Sequence, residues 1–423
     1  MARTKAQTPK ASADTTPKDS GRTGRRARDG HTGRGGFEDL EGLEDLVKAN
    51  KASAMPNISI RDIEPFCASP ECTIRDLVVL IDRNRGGVAL IVDSERRLIA
   101  TVTDGDIRRA ILNGADMGSP VKTMLEHGVS RRRRTPITAP DGTPAVQILR
   151  LMGEHAIQHV PMIDEDGRLV ALTLLSSFVR DQDLPVRAVI MAGGLGTRLR
   201  PLTQELPKPM LPVGGRPLLQ RTIEGLRCAG IRHINITTHF QAEKIKEFIG
   251  DGSPYDATVH YSHENEPLGT AGALRQMKLD ETEPSLVING DILTTVNYSA
   301  MLEFHREHKA DLTVGVRHYA MPVPYGVVDC DGPLVKSIRE KPSVGFFVNA
   351  GIYLIAPGVC GLIPEGRRFD MTDLIELLIT QERRVVSFPV HEYWLDIGQY
   401  DDYRQAQDDV ASGKLGAAQG GGQ

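Results

Sequence analysis

The sequence predicts an α/β fold in two bodies, a sheet flanked by helices and, ahead of it, a smaller α+β body. Three observations predict it. Val186-Arg-Ala-Val-Ile-Met-Ala192 is a mostly apolar run, the pattern of a strand buried in a parallel sheet, and it ends in the Gly-rich turn Gly193-Gly-Leu-Gly-Thr-Arg-Leu199. Upstream, a strand–turn–strand unit occurs twice, as Ala89–Ala100 and as Val160–Ala171. Between the two regions lies Asp181-Gln-Asp-Leu-Pro185, a short polar join closed by a proline. The predicted boundaries are a disordered basic tail over 1–54, the repeat body over 57–182, the larger body over 186–410 and a Gly-rich tail over 411–423.

Composition narrows the class. The 423 residues are 40% hydrophobic and 25% charged, ordinary for a globular protein. A net charge of −4 argues against a general attraction to nucleic acid. No apolar run reaches the ~20 residues that span a bilayer, and no apolar segment near the start reads as a secretory signal. The five cysteines, Cys67, Cys72, Cys228, Cys330 and Cys360, are scattered and lack metal-site spacing, so a reducing cytoplasm is expected. Cys67 and Cys72 are near enough in sequence to raise a redox pair, but nothing cationic adjoins them. The basic stretch Arg22–Arg28 reads as a solvated tail, with an acidic surface or a transit function as alternatives.

In the first body an amphipathic helix precedes each copy, Ile74–Arg83 and Ala145–His155, and another follows the first copy from Asp106 to Asn113. Repetition of the unit implies two stacked copies sharing a core. The pattern resembles a tandem cystathionine-β-synthase (CBS) pair, a regulatory module. The resemblance implies an adenine-nucleotide site at Thr103-Asp-Gly-Asp106, with Thr103 on a phosphate and Asp106 on the ribose, and assembly into a homo-oligomer. In the second copy Leu174 and Ser177 stand opposite Thr103 and Asp106, so at most one such site is intact. The residues themselves also allow Asp106 to be only a helix cap.

In the second body the chemistry begins at the turn. Glycines there allow backbone N–H groups to approach anionic oxygens, at the carboxyl end of a first strand where α/β sheets bind phosphates. The spacing is neither that of the dinucleotide fingerprint nor that of a P-loop. Arg198 and Lys208 bracket the Pro-rich loop Pro201–Pro212. Ser285-Leu-Val-Ile-Asn-Gly-Asp291 reads as a strand ending in a carboxylate, and Asp396 follows a second strand-like stretch, Val385–Leu395. Carboxylates at such edges suit Mg²⁺, which prefers hard oxygen ligands, although each alone could be a turn residue. His260, His263, His305 and His308 have no third partner in a metal motif and read as surface or core residues.

The run Ala192–Pro217 resembles the signature of nucleotide-sugar pyrophosphorylases, the sugar-1-phosphate nucleotidyltransferases. The resemblance continues in order through Pro267–Leu274, Asn289-Gly-Asp291, Tyr325–Val328, Glu340-Lys-Pro342, Asn349–Tyr353 and Trp394–Gly398. It implies a Rossmann-like mixed-sheet nucleotidyltransferase domain behind a CBS pair. It also implies in-line attack of a sugar phosphate on the NTP α-phosphorus, with pyrophosphate leaving. Ala192, Gly193, Gly194, Gly196 and Thr197 would cradle the nucleotide, with Arg198 on the departing phosphates and Lys208 on the α- or sugar phosphate. Asp291 and Asp396 would hold Mg²⁺. Lys341 would grip the sugar phosphate; Tyr325, Gly326, Glu340, Asn349 and Gly351 would lie along the sugar. Such chemistry needs positioning and charge neutralisation rather than a covalent nucleophile.

Glu264, Gly269 and Thr270 would line the base pocket. Related uridine and thymidine enzymes tend to carry Gln where Glu264 falls. A carboxylate only accepts, and guanine offers two adjacent donors, so GTP is favoured; an exposed Glu264 with backbone selection is the alternative. The tandem architecture resembles the guanylyltransferases of bacterial legionaminic-acid synthesis, implying glucosamine-1-phosphate. Mannose-1-phosphate with GTP, or glucose-1-phosphate with UTP or dTTP, are the alternative substrates. A catalytically dead nucleotide sensor is the non-enzyme alternative; retention of Arg198, Lys208, Asp291 and Asp396 argues against it.

Overall fold

The computed structural model describes residues 59–84, 86–126, 135–178, 183–264, 266–277, 279 and 282–415. The expected basic tail lies outside these residues.

The repeat body is built from two copies of one unit. In the first, helix α1 (Ile74–Asn84) precedes β1 (Val88–Val92) and β2 (Leu98–Thr103), followed by α2 (Asp104–Leu112). In the second, α3 (Ala145–His155) precedes β3 (His159–Ile163) and β4 (Leu169–Leu174). Each makes a three-stranded sheet in which a two-residue strand runs parallel to the first long strand and the second runs antiparallel. Both antiparallel pairs carry a bulge at the equivalent place, Ile91/Val92 and Met162/Ile163. The apolar faces of α1 and α3 follow from Leu77, Val78 and Ile81 in one and Ile148, Leu149 and Met152 in the other, all buried. The copies share a cluster of Phe66, Val88, Leu90, Leu169, Leu172 and Leu174, as the repeat implies.

Helix α2 begins two residues earlier than the sequence pattern predicts. Thr103 is its N-cap and Asp106 the third residue of a capping box, each side chain taking the other's backbone N–H. The second copy has only a short 3₁₀ turn, Leu175–Ser177, without a side-chain cap, because Leu174 stands where Thr103 does.

The larger body is a seven-stranded mixed sheet. Its strands are β5 (Arg187–Met191), β6 (His233–Thr238), β7 (Thr258–His263), β8 (Ser285–Asn289), β10 (Leu312–Pro322), β13 (Ser343–Ile355) and β14 (Val385–Pro389), in the order β7-β6-β5-β8-β13-β10-β14. Strands β5 to β8 are mutually parallel, β13 is antiparallel to both neighbours, and β14 is parallel to β10. β5 holds Ala188, Val189 and Ile190 at 0% exposure, the full burial that an apolar run foretells. The chain winds outward from β5 through helix α4 (Leu218–Cys228) to β6 and through α5 (Ala242–Ile249) to β7, and returns to β8 on the other side. A crevice therefore opens between β5 and β8 at their carboxyl ends.

Two smaller elements matter for the site. β9 (Ile292–Thr294) and β15 (Trp394–Asp396) form their own antiparallel pair, joining Ile292 to Asp396 in register. The strand expected over Val385–Leu395 is thus two strands in different sheets, interrupted after Pro389. Beyond the sheet, β10 and β13 run on as a two-stranded arm, tipped by the hairpin β11 (Val327–Asp331) and β12 (Leu334–Arg339). Leu334, Val335 and Ile338 there are 65–70% exposed. The final helix, α9 (Tyr400–Ala411), is followed by Leu415, buried with Leu199, Leu211 and Val213, so the body extends past the predicted boundary at 410.

Helix α2 also joins the bodies. Leu112 packs on the main core, and Arg108 reaches Glu392 between β14 and β15. No helix among the described residues is long and apolar enough to cross a membrane.

Candidate active site

The Gly193 turn leaves β5 at the mouth of the crevice. Gly196 takes φ +61°, and a Cβ there would come within 3.0 to 3.2 Å of Thr203 and Lys208, so the turn folds tightly onto the Pro-rich loop. Thr203 Oγ1 donates to Gly196 O, fixing the same contact. Beside the turn, Gly290 brings β8's end against β5. A Cβ at Gly290 would lie 2.6 Å from Met191 O. Only glycine permits that approach, and it sets Asp291 next to the Gly193 turn.

Asp291 and Asp396 meet through the β9–β15 pair. Ile292 is in register with Asp396, and Ile397 N donates to Asp291 O at 3.0 Å. Lys208, buried by its loop, bonds Asp291 Oδ2 at 2.5 Å. Arg198 is exposed; a Cβ at Gly398 would lie 3.8 Å from Asp396 Oδ1 and 4.0 Å from Arg198 Nη1. Burial first, and then the charge of Asp291, push the Asp396 carboxyl up from its ordinary value, against the opposing pull of Lys208 and Arg198. Two carboxylates that repel one another, on oxygen donors only, are a fitting seat for a hard divalent cation.

A cavity of about 370 Å³ is lined by Gly193, Gly194, Gly196, Thr197, Arg198, Lys208, Gly269 and Asp291. Eight of the predicted residues thus share one space. Ala192 lies buried just behind it, its N–H bonded to Thr237. The cavity also takes in Pro267, which opens the Pro267–Leu274 motif, and His239 and Arg368, which no sequence motif singles out. His239 follows the end of β6, and that position at a carboxyl strand end was the available signal. Arg368 is distant in sequence and had none.

Glu264 is buried, not solvent-exposed. Its Oε2 accepts from Leu268 N at 3.1 Å, and its Oε1 is 3.0 Å from where a Gly193 Cβ would stand. Thr270 faces elsewhere than expected. Its backbone N–H donates to Asp370 Oδ1 and its hydroxyl accepts from Met371 N, tying α6 (Gly269–Gln276) to α8 (Met371–Thr380). Its side chain therefore serves a helix junction.

The expected sugar-side residues form a separate group. Tyr325, Gly326, Glu340 and Lys341 lie exposed on the arm, where Glu340 Oε2 approaches Gly326. Asn349 is nearer the sheet; its Nδ2 donates to Tyr353 and its Oδ1 accepts from Gly351 N. Gly351, at φ +67°, packs on Asn289. Asn289 Oδ1 is buried and has no hydrogen-bond partner among the described residues. None of these residues lines the cavity.

The other candidates resolve simply. His305 is buried and bonded to Thr313, and burial pushes it down to about 4. His308 stacks on Phe304 at 4.1 Å, and His260 and His263 are exposed. All five cysteines are free; burial raises the Cys67 and Cys72 thiols, the reverse of a reactive thiolate. At the CBS motif, Asp106 Oδ2 accepts from Thr103 N and Oγ1, and its Oδ1 pairs with Arg109 at 2.5 Å. The cap role is therefore realised there.

A family model described as "Nucleotidyl transferase" matches residues 187–413, more than half of the chain. The chain belongs to the nucleotidyl transferase family. A CBS-domain model matches residues 60–113 and 122–174, so this nucleotidyl transferase carries a tandem CBS pair ahead of its larger body. Members of the family generally use a divalent metal. The chain is 34% identical over 228 residues to the mannose-1-phosphate guanyltransferase of Candida albicans, covering 52% of this chain and 62% of that protein. It is 32% identical over 237 residues to the mannose-1-phosphate guanylyltransferase of Mycobacterium tuberculosis, covering 54% and 65%. The chain thus spans less than two-thirds of the length of these curated relatives. Among solved structures, HddC from Yersinia pseudotuberculosis aligns at 31% identity with a TM-score of 0.43, over 53% of this chain and 99% of that one.

Proposed function

We propose that the protein joins an NTP and a sugar 1-phosphate into a nucleotide-sugar and pyrophosphate, with GTP as the nucleotide. The observation that carries the reading is the convergence of the Gly193 turn, Arg198, Lys208 and Asp291 on one cavity. Cations beside a glycine turn and a pair of carboxylates suit a polyanionic substrate, and the cavity is of a size to hold a nucleotide.

In this reading the turn's backbone holds the phosphates, and Arg198 neutralises charge that builds on the departing pyrophosphate. Lys208, bonded to Asp291, meets the α-phosphate or the incoming sugar phosphate. Mg²⁺ on Asp291 and Asp396, when bound, offsets phosphate charge. The arm residues Tyr325, Gly326, Glu340 and Lys341, with Asn349 and Gly351, carry the sugar side, which requires the arm to approach the cavity with substrate. Guanine is supported by the chemistry of Glu264, since a carboxylate accepts the two donors of that base; the side chain lies buried beside the turn with Oε2 on Leu268 N and outside the cavity lining, so this reading requires it to turn toward the cavity with substrate. The similarity to mannose-1-phosphate guanylyltransferases agrees with GTP. For the sugar, the CBS architecture favours glucosamine-1-phosphate, and the relatives' names favour mannose-1-phosphate. Adenine nucleotide at Thr103 and Asp106, a cytoplasmic location and a homo-oligomer complete the proposal.

The test is a matrix of the four NTPs against glucosamine-, mannose- and glucose-1-phosphate, read as pyrophosphate release. A clear preference for UTP or dTTP would remove the guanine assignment; no product with any pair would remove the reaction.

A further inference from the structure

The junction between the two bodies is a buried ion cluster. Arg108 of α2 is 1% exposed. Its guanidinium pairs with Asp104 at 2.6 Å and with Glu392 at 2.7 Å, donates to Pro389 O, and lies 3.8 Å over the Phe388 ring. His391 adds a bond to Asp104 at 2.7 Å. Asp104, His391 and Glu392 could be mistaken for metal ligands, but the guanidinium already takes an oxygen of both carboxylates.

What distinguishes this cluster from ordinary packing is where Glu392 leads. Its Oε1 also accepts from Asn297 N, at the start of helix α7 (Tyr298–Glu307). The next residue, Tyr393, accepts at its carbonyl from both Thr294 Oγ1 and Thr295 N. From there the β9–β15 pair runs directly to Asp396 and Asp291. Arg108 therefore grips the outer end of a short two-stranded element whose inner end bears both carboxylates.

We propose that Arg108 is a positioning residue for the transferase reaction, holding the Trp394–Asp396 strand in register from within the CBS body. The inference rests on the assignment of Asp291 and Asp396 to the metal. The element has only three residues per strand, and with Pro389 ending β14 the linker Val390–Tyr393 is anchored at its ends by Val390 N on Val316 O and by Tyr393 on Thr294, Thr295 and Asp409, while Arg108, Arg317 and the Asn297 N–H hold its middle. Loss of the Arg108 grip leaves the Glu392 carboxylate buried without its cation, held by the backbone N–H groups of Asn297 and His391, and the linker shifts to rehydrate it. That shift moves Asp396 relative to Asp291 and weakens the cation seat.

Trp394, the sole tryptophan of the chain, sits in this strand and donates to Ala350 O at 2.8 Å. It makes the test independent of turnover. In the full chain, Arg108→Met, Arg108→Lys and Glu392→Gln are compared with wild type. Three quantities are read: acrylamide quenching of Trp394 without metal, Mg²⁺ titration of its emission, and the half-saturating Mg²⁺ for pyrophosphate release. The expected result is easier quenching and a half-saturating Mg²⁺ raised roughly 2- to 30-fold in Arg108→Met. Arg108→Lys should be intermediate, and KM for the sugar phosphate should stay nearly constant. A folded Arg108→Met with wild-type quenching and wild-type Mg²⁺ response overturns the proposal, whatever its melting temperature. If that variant does not fold, wild-type behaviour of both Arg108→Lys and Glu392→Gln overturns it equally. Wild-type chain that gives no product with any NTP sinks the transferase reading instead, and the metal-free quenching still decides whether Arg108 sets the strand.

Discussion

Asp291 and Asp396 have opposite surroundings although they share one site. Asp291 is bonded to Lys208, whereas burial and its neighbour's charge raise Asp396. A raised carboxyl holds its proton to higher pH in the folded than in the unfolded chain. Its ionisation therefore costs stability as pH rises through the folded value, and that cost disappears on acidification. Metal-free Asp396→Asn is expected to melt above wild type at neutral pH, with the gap closing below the ordinary carboxylate range; thermal scans across pH check this. The same substitution should weaken Mg²⁺ binding. Asp291→Ala should lower kcat by about 100-fold or more while the circular dichroism spectrum is retained. Glu264→Gln should lower kcat/KM for GTP by roughly 10- to 100-fold and narrow the gap to UTP, in line with the 1–3 kcal/mol of a buried polar mismatch.

At the scale of elements, the site depends on how closely β8 approaches β5. Gly290→Ala would set a Cβ 2.6 Å from Met191 O, and neither backbone is free to yield. The expected outcome is a loss of about 1–3 kcal/mol in denaturant unfolding together with a fall in kcat. A variant with wild-type stability and turnover would show that the β5–β8 spacing is not what places Asp291. The arm is the contrasting element. Its exposed hairpin is held by one antiparallel pair, and its proposed sugar residues stand outside the cavity. Arm substitutions such as Lys341→Ala should therefore raise KM for the sugar phosphate about 10-fold or more and leave the melting temperature within a degree or so, since a surface residue contributes little to stability.

For the whole molecule, the notable fact is that α2 belongs to both bodies. It starts at Thr103 in the CBS motif and ends with Leu112 on the transferase core. Arg109, beside Arg108, pairs with Asp106 and lies 3.9 Å from Glu307 of α7. A nucleotide that engaged Asp106 would share or compete for the carboxylate with Arg109, which bonds Oδ1. Such binding alters turnover only if the two arrangements differ in affinity for it. Titration of AMP, ADP and ATP against the initial rate should therefore change kcat or the Mg²⁺ requirement. Flat responses with no measurable binding would leave α2 as a mechanical link alone.

Local pattern sufficed wherever a residue's role follows from its neighbours in the chain. The buried run of β5, the glycine turn, the repeated strand–turn–strand unit and the order of motifs from Ala192 to Gly398 were all readable on that basis. Long-range pairing decided the rest. Val385–Leu395 reads as one strand-like stretch, and only the competition between β10 and β9 for its two halves divides it. Glu264 looked as able to face water as a base, until Leu268 and Gly193 closed around it. Arg108 shows in sequence only as the (i, i+4) partner of Asp104, whereas its reach to Glu392, 284 residues away, exists only once the chain has folded.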